Sequence, residues 1–198
     1  MRPRQEGEAE MSGKKQDARV RYTKMVIRQS LVELLRKKPV AKITVTEICE
    51  LAGINRATFY AHYSDPTDLL HSLENDLIEG ITVRAQPALT GENGDITGTL
   101  CGIVEYIREN AEICRVLLSD TGDTNFQNQV VHVMERRYLD FWRSSRGGGE
   151  EDFAYVYTFI ALGSVGVIRK WLDEGMAKPA AEIAGLIVRL SAAGLMTR

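Results

Sequence analysis

Residues 43–63 read ITVTEICELAGINRATFYAHY, and this stretch decides the fold. Thr44 is followed three positions later by Glu47. That is the spacing of a capping box, in which the two side chains satisfy each other's backbone N–H groups at a helix start. Ile48, Leu51 and Ala52 then recur at helical spacing as a buried face. Gly53 ends the helix, because a left-handed terminal residue costs glycine least. Asn55 caps a second short helix, expected over Arg56 to Tyr63. Two helices joined by a short turn around a central glycine form a helix-turn-helix.

The flanking sequence is also helical. Upstream, Ile27, Leu31, Leu34 and Leu35 form an apolar stripe that predicts a helix from about Tyr22 to Lys37, stopped by Pro39. Downstream, Asp65 is an N-cap, Pro66 suits the first helical position and Asp68 sits at the third. That helix carries Leu69, Leu70, Leu73, Leu77 and Ile81 and is expected to end before Pro87. Residues 90–95 read as a loop. Further helices are expected near 96–110, 112–119, 123–145, 151–174 and 179–196. No strand alternation is sustained, so the fold class is all-α. The expected domains are a disordered tail over 1–18, a helix-turn-helix unit over 19–65 and a larger helical domain over 66–198.

Such a motif lays its second helix in the DNA major groove, while the first crosses the backbone. Phe59 is the apolar anchor expected to face inward. Arg56 can read a guanine edge, and Ala57 and the Thr58 methyl can touch thymine methyls. Tyr60, His62 and Thr44 can donate to phosphates. Tyr63 is expected in the core rather than at the interface. Charge agrees: residues 1–64 hold 13 Lys/Arg and 7 Asp/Glu, a net of +6, whereas 65–198 hold 12 and 20, a net of -8. A basic first third on an acidic remainder suits a module that meets a polyanion.

With Thr44 at the helix start, Ala52-Gly53-Ile54 at the turn, Thr58-Phe59-Tyr60 on the second helix and Asp68-Leu69-Leu70 beyond, residues 21–70 resemble the DNA-binding domain of TetR/AcrR-type bacterial transcriptional regulators. The resemblance implies base-facing roles for Arg56, Ala57 and Tyr60. It implies phosphate-facing roles for Thr44, Thr46, Thr58, Tyr60 and His62. Members of the family usually place a phosphate-touching Lys where this chain has Pro66; Lys42, just ahead of the first helix of the motif, is the expected substitute. The resemblance also implies a homodimer on a palindromic double-stranded operator, most often as a repressor, with an effector bound in the C-terminal domain. More weakly, Gly166-Val-Ile-Arg-Lys-Trp-Leu172 resembles the branch of dihydroxyacetone-kinase regulators. There the controlling partner can be a protein, which leaves an activator governed by a partner as the alternative.

Within the larger domain, residues 153–171 are apolar on two helical faces, so both must be covered. Phe159, Gly163, Gly166 and Val167, with Ile183, Leu186, Ile187 and Leu190 of the last helix, are the candidate dimer interface. Tyr106, Phe126, Met134, Tyr138, Trp142 and Tyr157 are the candidates to line a ligand pocket. Phe141 and Trp171 stand beside them, with His132 or Arg115 as a polar handle.

Other classes fit poorly. The chain has three histidines, His62, His71 and His132, and no P-loop, GxGxxG, HExxH or nucleophile elbow. Cys49, Cys101 and Cys114 match no zinc or disulfide spacing and read as buried free thiols of a reducing cytosol. No enzyme, metal or cofactor is expected. The uncharged run over 153–168 is too short to span a bilayer, so no membrane partner is expected and the location is cytoplasmic.

Overall fold

The computed structural model describes residues 4–90, 95–119, 126–135 and 150–195, with side chains for 17–87, 95–119, 126–135 and 153–192. Among them there is no strand. The helices are α1 (Arg4–Leu35), α2 (Val45–Ala52), α3 (Arg56–Tyr60), α4 (Pro66–Thr90), α5 (Ile96–Glu109), α6 (Ala111–Leu117), α7 (126–135), α8 (Glu150–Asp173) and α9 (Ala180–Leu195), with a 3₁₀ turn at Val40–Lys42. The chain divides into two compact units, Met1–Leu73 and Glu74–Arg198.

Three boundaries differ from the sequence reading, and one is the end of α3, at Tyr60 rather than Tyr63. The first helix begins at Arg4, so most of the stretch expected to be a disordered tail has helical backbone. It is rich in Gln, Glu, Ala and Lys, all good helix formers. Once residues 22–35 are fixed by packing, extending a helix backward needs no new nucleus. At the other end, α4 continues through Pro87 to Thr90. Pro87 lies in the last turn, where its missing donor and its clash with the carbonyl four residues earlier disturb little helix beyond it.

In the first unit, α1 packs on α2 and α2 on α3. Ile27, Leu31, Ile48, Phe59 and Leu69 are completely buried there. Each such side chain stabilises by about 1.5–3 kcal/mol relative to an exposed one. Tyr63 joins this core, and its hydroxyl accepts from Arg28 Nε at 3.4 Å. Arg28 Nη2 also reaches Ser72 Oγ at 3.4 Å.

In the second unit, α5 runs along α9, and α8 packs on α9 and on α6. Val104, Ile107, Cys114, Leu172, Ile183 and Ile187 make its core. Trp171 is buried there as well, with its indole N–H donating to the Lys178 carbonyl at 2.8 Å. Cys49 and Cys114 are buried free thiols, whereas Cys101 is half-buried. Among the described residues, no helix is long and apolar enough to cross a membrane.

Candidate functional site

The helix-turn-helix is fixed by local chemistry at each of its ends. Thr44 Oγ1 accepts from the Glu47 N–H at 3.3 Å, and the Glu47 carboxylate accepts from the Thr44 N–H at 3.0 Å. Lys38 pairs with that same carboxylate. The Lys38 ammonium first, then the Thr44 backbone and hydroxyl donors, hold the Glu47 carboxyl at about 2, well below the usual carboxylate range. Gly53 takes φ 65° and ψ 34°, the left-handed region, and its N–H returns to the Cys49 and Glu50 carbonyls. The Ile54 N–H also reaches Cys49, at 3.0 Å, as in a Schellman termination. Asn55 Oδ1 then accepts from the Thr58 N–H at 2.8 Å and from its hydroxyl at 3.0 Å, which starts α3.

This frame sorts the side chains. Phe59 is wholly buried and holds α3 against α2. Lys42, Thr44, Arg56, Ala57 and Tyr60 are exposed, and Thr46, Thr58 and His62 are half-buried. All eight candidate DNA-facing residues therefore reach the surface of one short segment. Arg56, Ala57 and Tyr60 share one face of α3, because positions one and four residues apart lie within about a quarter-turn or so of the first. Tyr60 is 56% exposed, and its ring edge meets Phe59 at 5.7 Å between centroids, which fixes its direction. Arg56 Nη2 donates to Thr46 Oγ1 at 2.6 Å. Pro66 is half-buried at the first position of α4, behind Asp65, whose carboxylate accepts from the Thr67 and Asp68 N–H groups at 2.8 and 2.9 Å.

A second feature lies in the other unit. Side chains of α5, α6, α7, α8, α9 and the later part of α4 line a partly open cavity of about 480 Å³. This is within the range of small-molecule sites. Of the residues expected to line it, Phe126, Met134 and Tyr157 do so. Tyr106 does not. Its ring lies against Gly80 and under the Arg84 guanidinium, 4.0 Å from the ring centroid, and its hydroxyl donates to the Asp76 carbonyl at 3.2 Å. Burial there raises the phenol pKa, with Arg84 opposing. Neither polar handle lines the cavity: His132 is exposed beside Glu135, and Arg115 Nε donates to the Leu172 carbonyl at 3.1 Å. Trp171 is likewise elsewhere in the core. Tyr138, Phe141 and Trp142 lie outside the described residues. What the sequence reading missed is the aliphatic majority of the wall, including Ile81, Leu100, Ile103, Val130, Ile160 and Val165.

The α8–α9 face carries a separate groove of about 230 Å³. Phe159, Gly163, Val167 and Leu190 line it, as does Ile187 from beneath. Phe159 is 70% exposed and Leu190 53%. Gly166 is exposed nearby and Leu186 is half-buried. Ile183 and Ile187 correct the expected stripe, because both are buried in the protomer's own core. Ile160, Ser164, Ile187 and Ser191 line the groove and the cavity at once.

Comparison with known proteins agrees with this architecture. Residues 95–192 match the family model of the TetR type described as a transcriptional regulator C-terminal region. The chain is 31% identical over 171 residues to the HTH-type transcriptional regulator YxbF of Bacillus subtilis, covering 82% of this chain and 43% of that one. It is 24% identical over 132 residues to the nucleoid occlusion factor SlmA of a Marinomonas species, covering 64% of each. The chain thus matches less than two thirds of the length of either relative. The solved structure of the dihydroxyacetone kinase operon activator DhaS shares the fold, with a TM-score of 0.54 at 20% identity over 86% of this chain and 94% of that one. With a capped helix-turn-helix in its first unit and the matched helical region in its second, the chain belongs to the TetR family of transcriptional regulators.

Proposed function

We propose that this chain is a sequence-specific DNA-binding repressor that grips a palindromic operator as a homodimer and is released by an effector. The observation that carries the reading is the exposed Arg56–Ala57–Tyr60 face, on a helix whose start is capped and whose back is anchored by Phe59. Arg56 would read a guanine edge, while Tyr60, His62, Thr44 and Lys42 would meet phosphates. The exposed Phe159 and Leu190 supply an apolar patch for a second copy, and a two-fold dimer needs a patch that is complementary to itself. Two copies would then set their α3 helices about 34–36 Å apart, one turn of duplex.

The cavity in the second unit would receive the effector. An effector shifts the dimer between spacings only by its differential affinity for them. α4 begins at the end of the helix-turn-helix and reaches the cavity wall at Ile81 and Ala85, which makes it the proposed lever. A cavity of this size favours a small molecule over a protein as effector.

The test is a gel shift with duplexes taken from upstream of the protein's own gene and its neighbours. The wild type is expected to shift one of them at nanomolar concentration. Tyr60→Ala is expected to abolish that shift. Failure on these fragments and on random duplex at low salt would reject DNA binding.

A further inference from the structure

Among the described residues, the wall of the second unit's cavity holds no Lys, Arg, His, Asp or Glu. The polar groups that reach it are the hydroxyls of Thr99, Tyr157, Ser164 and Ser191, the Gln127 amide and the Cys114 thiol. Three of the hydroxyls already donate their one proton to backbone. Tyr157 donates to the Val131 carbonyl at 2.8 Å, Ser164 to Ile160 at 2.7 Å and Ser191 to Ile187 at 2.8 Å. A hydroxyl engaged in this way presents only its oxygen lone pairs to anything else. The Gln127 amide nitrogen leans toward the Leu118 carbonyl, at 3.5 Å.

Cys114 reports on the same space. Burial pushes its thiol up to about 12, with no cation among the described residues offsetting the penalty. A carboxylate placed beside it would meet the same desolvation, with the Thr99 hydroxyl, the second Gln127 N–H and the weak thiol as donors and no cation in the described wall to balance its charge. An ammonium would find no carboxylate partner in the described wall. The rest of the described lining is mostly Ile, Leu and Val, with Phe126 and Tyr157 as its aromatic members.

Taking this cavity as the effector site, we infer that its ligand is an uncharged, largely aliphatic molecule carrying a hydrogen-bond donor, such as an alcohol or a primary amide. Carboxylates, phosphates and protonated amines find no counter-charge in the described wall and are disfavoured.

Calorimetric titration of the full chain with 1-decanol, decanoate and decylammonium near neutral pH tests this. Decanol is expected to bind at least about tenfold more tightly than either ion. Decanoate is expected to gain about tenfold in apparent affinity per unit of falling pH, as its neutral acid form grows. Decanol should stay constant over the same range. Ala161→Met, which adds volume to the wall, is expected to abolish decanol binding. Tyr157→Phe keeps the space but removes an acceptor oxygen that lines the cavity and not the groove, and is expected to narrow the preference for alcohol over carboxylate several-fold. The Tyr157 variant places the site in the cavity even if Ala161→Met does not fold. Decanoate or decylammonium binding as tightly as decanol, without pH dependence, would overturn the neutral-ligand assignment and leave the cavity as an effector site. Failure of all three, together with failure to take up the neutral dye Nile red, would overturn the effector reading and the ligand class with it.

Discussion

Arg56 Nη2 donates to Thr46 Oγ1 at 2.6 Å, so the first residue of α3 is tethered to the second residue of α2 across the turn. The guanidinium is exposed, yet it is held in place before any partner arrives. Pre-ordering a long side chain removes part of the entropy that binding would otherwise cost. Arg56→Ala is therefore expected to weaken operator binding by about 1–3 kcal/mol, or roughly 5- to 150-fold. Thr46→Ala removes the tether and keeps the charge, so it should cost less. Fluorescence anisotropy gives both affinities. Neither variant should shift stability by more than about 0.5 kcal/mol, because Arg56 is exposed and Thr46 is not in the core.

Glu47 gives the first unit a defined acid response. Its carboxyl sits at about 2 in the fold and near 4.5 when unpaired. A depressed folded value means that the paired carboxylate contributes its full stability above about 4.5. That contribution is lost as pH falls from there toward about 2, where the carboxyl takes up a proton in the fold as well. Melting curves across this window should show the wild type losing more stability than Glu47→Gln, with the two converging at the acid end. Thr44→Ala removes the other half of the box and is expected to cost about 1 kcal/mol at neutral pH.

Gly80 and Tyr106 form a lock in the second unit. A Cβ at position 80 would run into the Tyr106 ring. Alanine in a helix gains up to about 1 kcal/mol over glycine. Displacing a packed ring that also holds Arg84 costs about 1–3 kcal/mol, so the clash wins. Gly80→Ala should lower the melting temperature. Tyr106→Leu in the same chain should restore most of the loss, which the double variant measures directly.

The proposed dimer separates two kinds of apolar residue on one helix pair. Phe159→Glu or Leu190→Glu changes an exposed side chain, so the protomer should fold normally and sediment as a monomer. Ile187→Asp places an unpaired charge in the core, and that variant should unfold instead. Sedimentation velocity with circular dichroism distinguishes the outcomes. A Phe159→Glu protein that remains dimeric would move the interface elsewhere.

The helix-turn-helix was legible because its determinants are local. Thr44 with Glu47, Gly53 with its positive φ, Asn55 and Asp65 each act on backbone within a few residues. Phe59 and Tyr63 could be placed inward from the same short window, whereas Leu51, expected on the buried face of α2, is 45% exposed and Cys49 is buried instead. The cavity was not legible in this way. Helical period says which face of α5 or α8 is apolar, but not which neighbour it meets. Tyr106 has the residue type of a pocket wall, yet it lies over Gly80, a partner on another helix that spacing along α5 cannot reveal. Ile183 and Ile187 share an apolar stripe with Leu190, but only the packing of α9 on α5 and α8 decides which of them turns inward. The extension of α1 to Arg4 was hidden for another reason. A polar stretch reads as unstructured on composition, although a helix already formed can extend through it.

Ile160, Ser164, Ile187 and Ser191 are shared by the lining of the cavity and that of the α8–α9 groove. One layer of side chains thus belongs to two recognition problems. A substitution that enlarges or shrinks any of the four alters both hollows together. Mutants selected for a new inducer at these positions would carry changed self-association as a by-product, and suppressors of a pairing defect would arise there with shifted inducer response. On the proposed assignment of the cavity to the effector and the groove to the second copy, inducer specificity and partner choice are genetically linked traits.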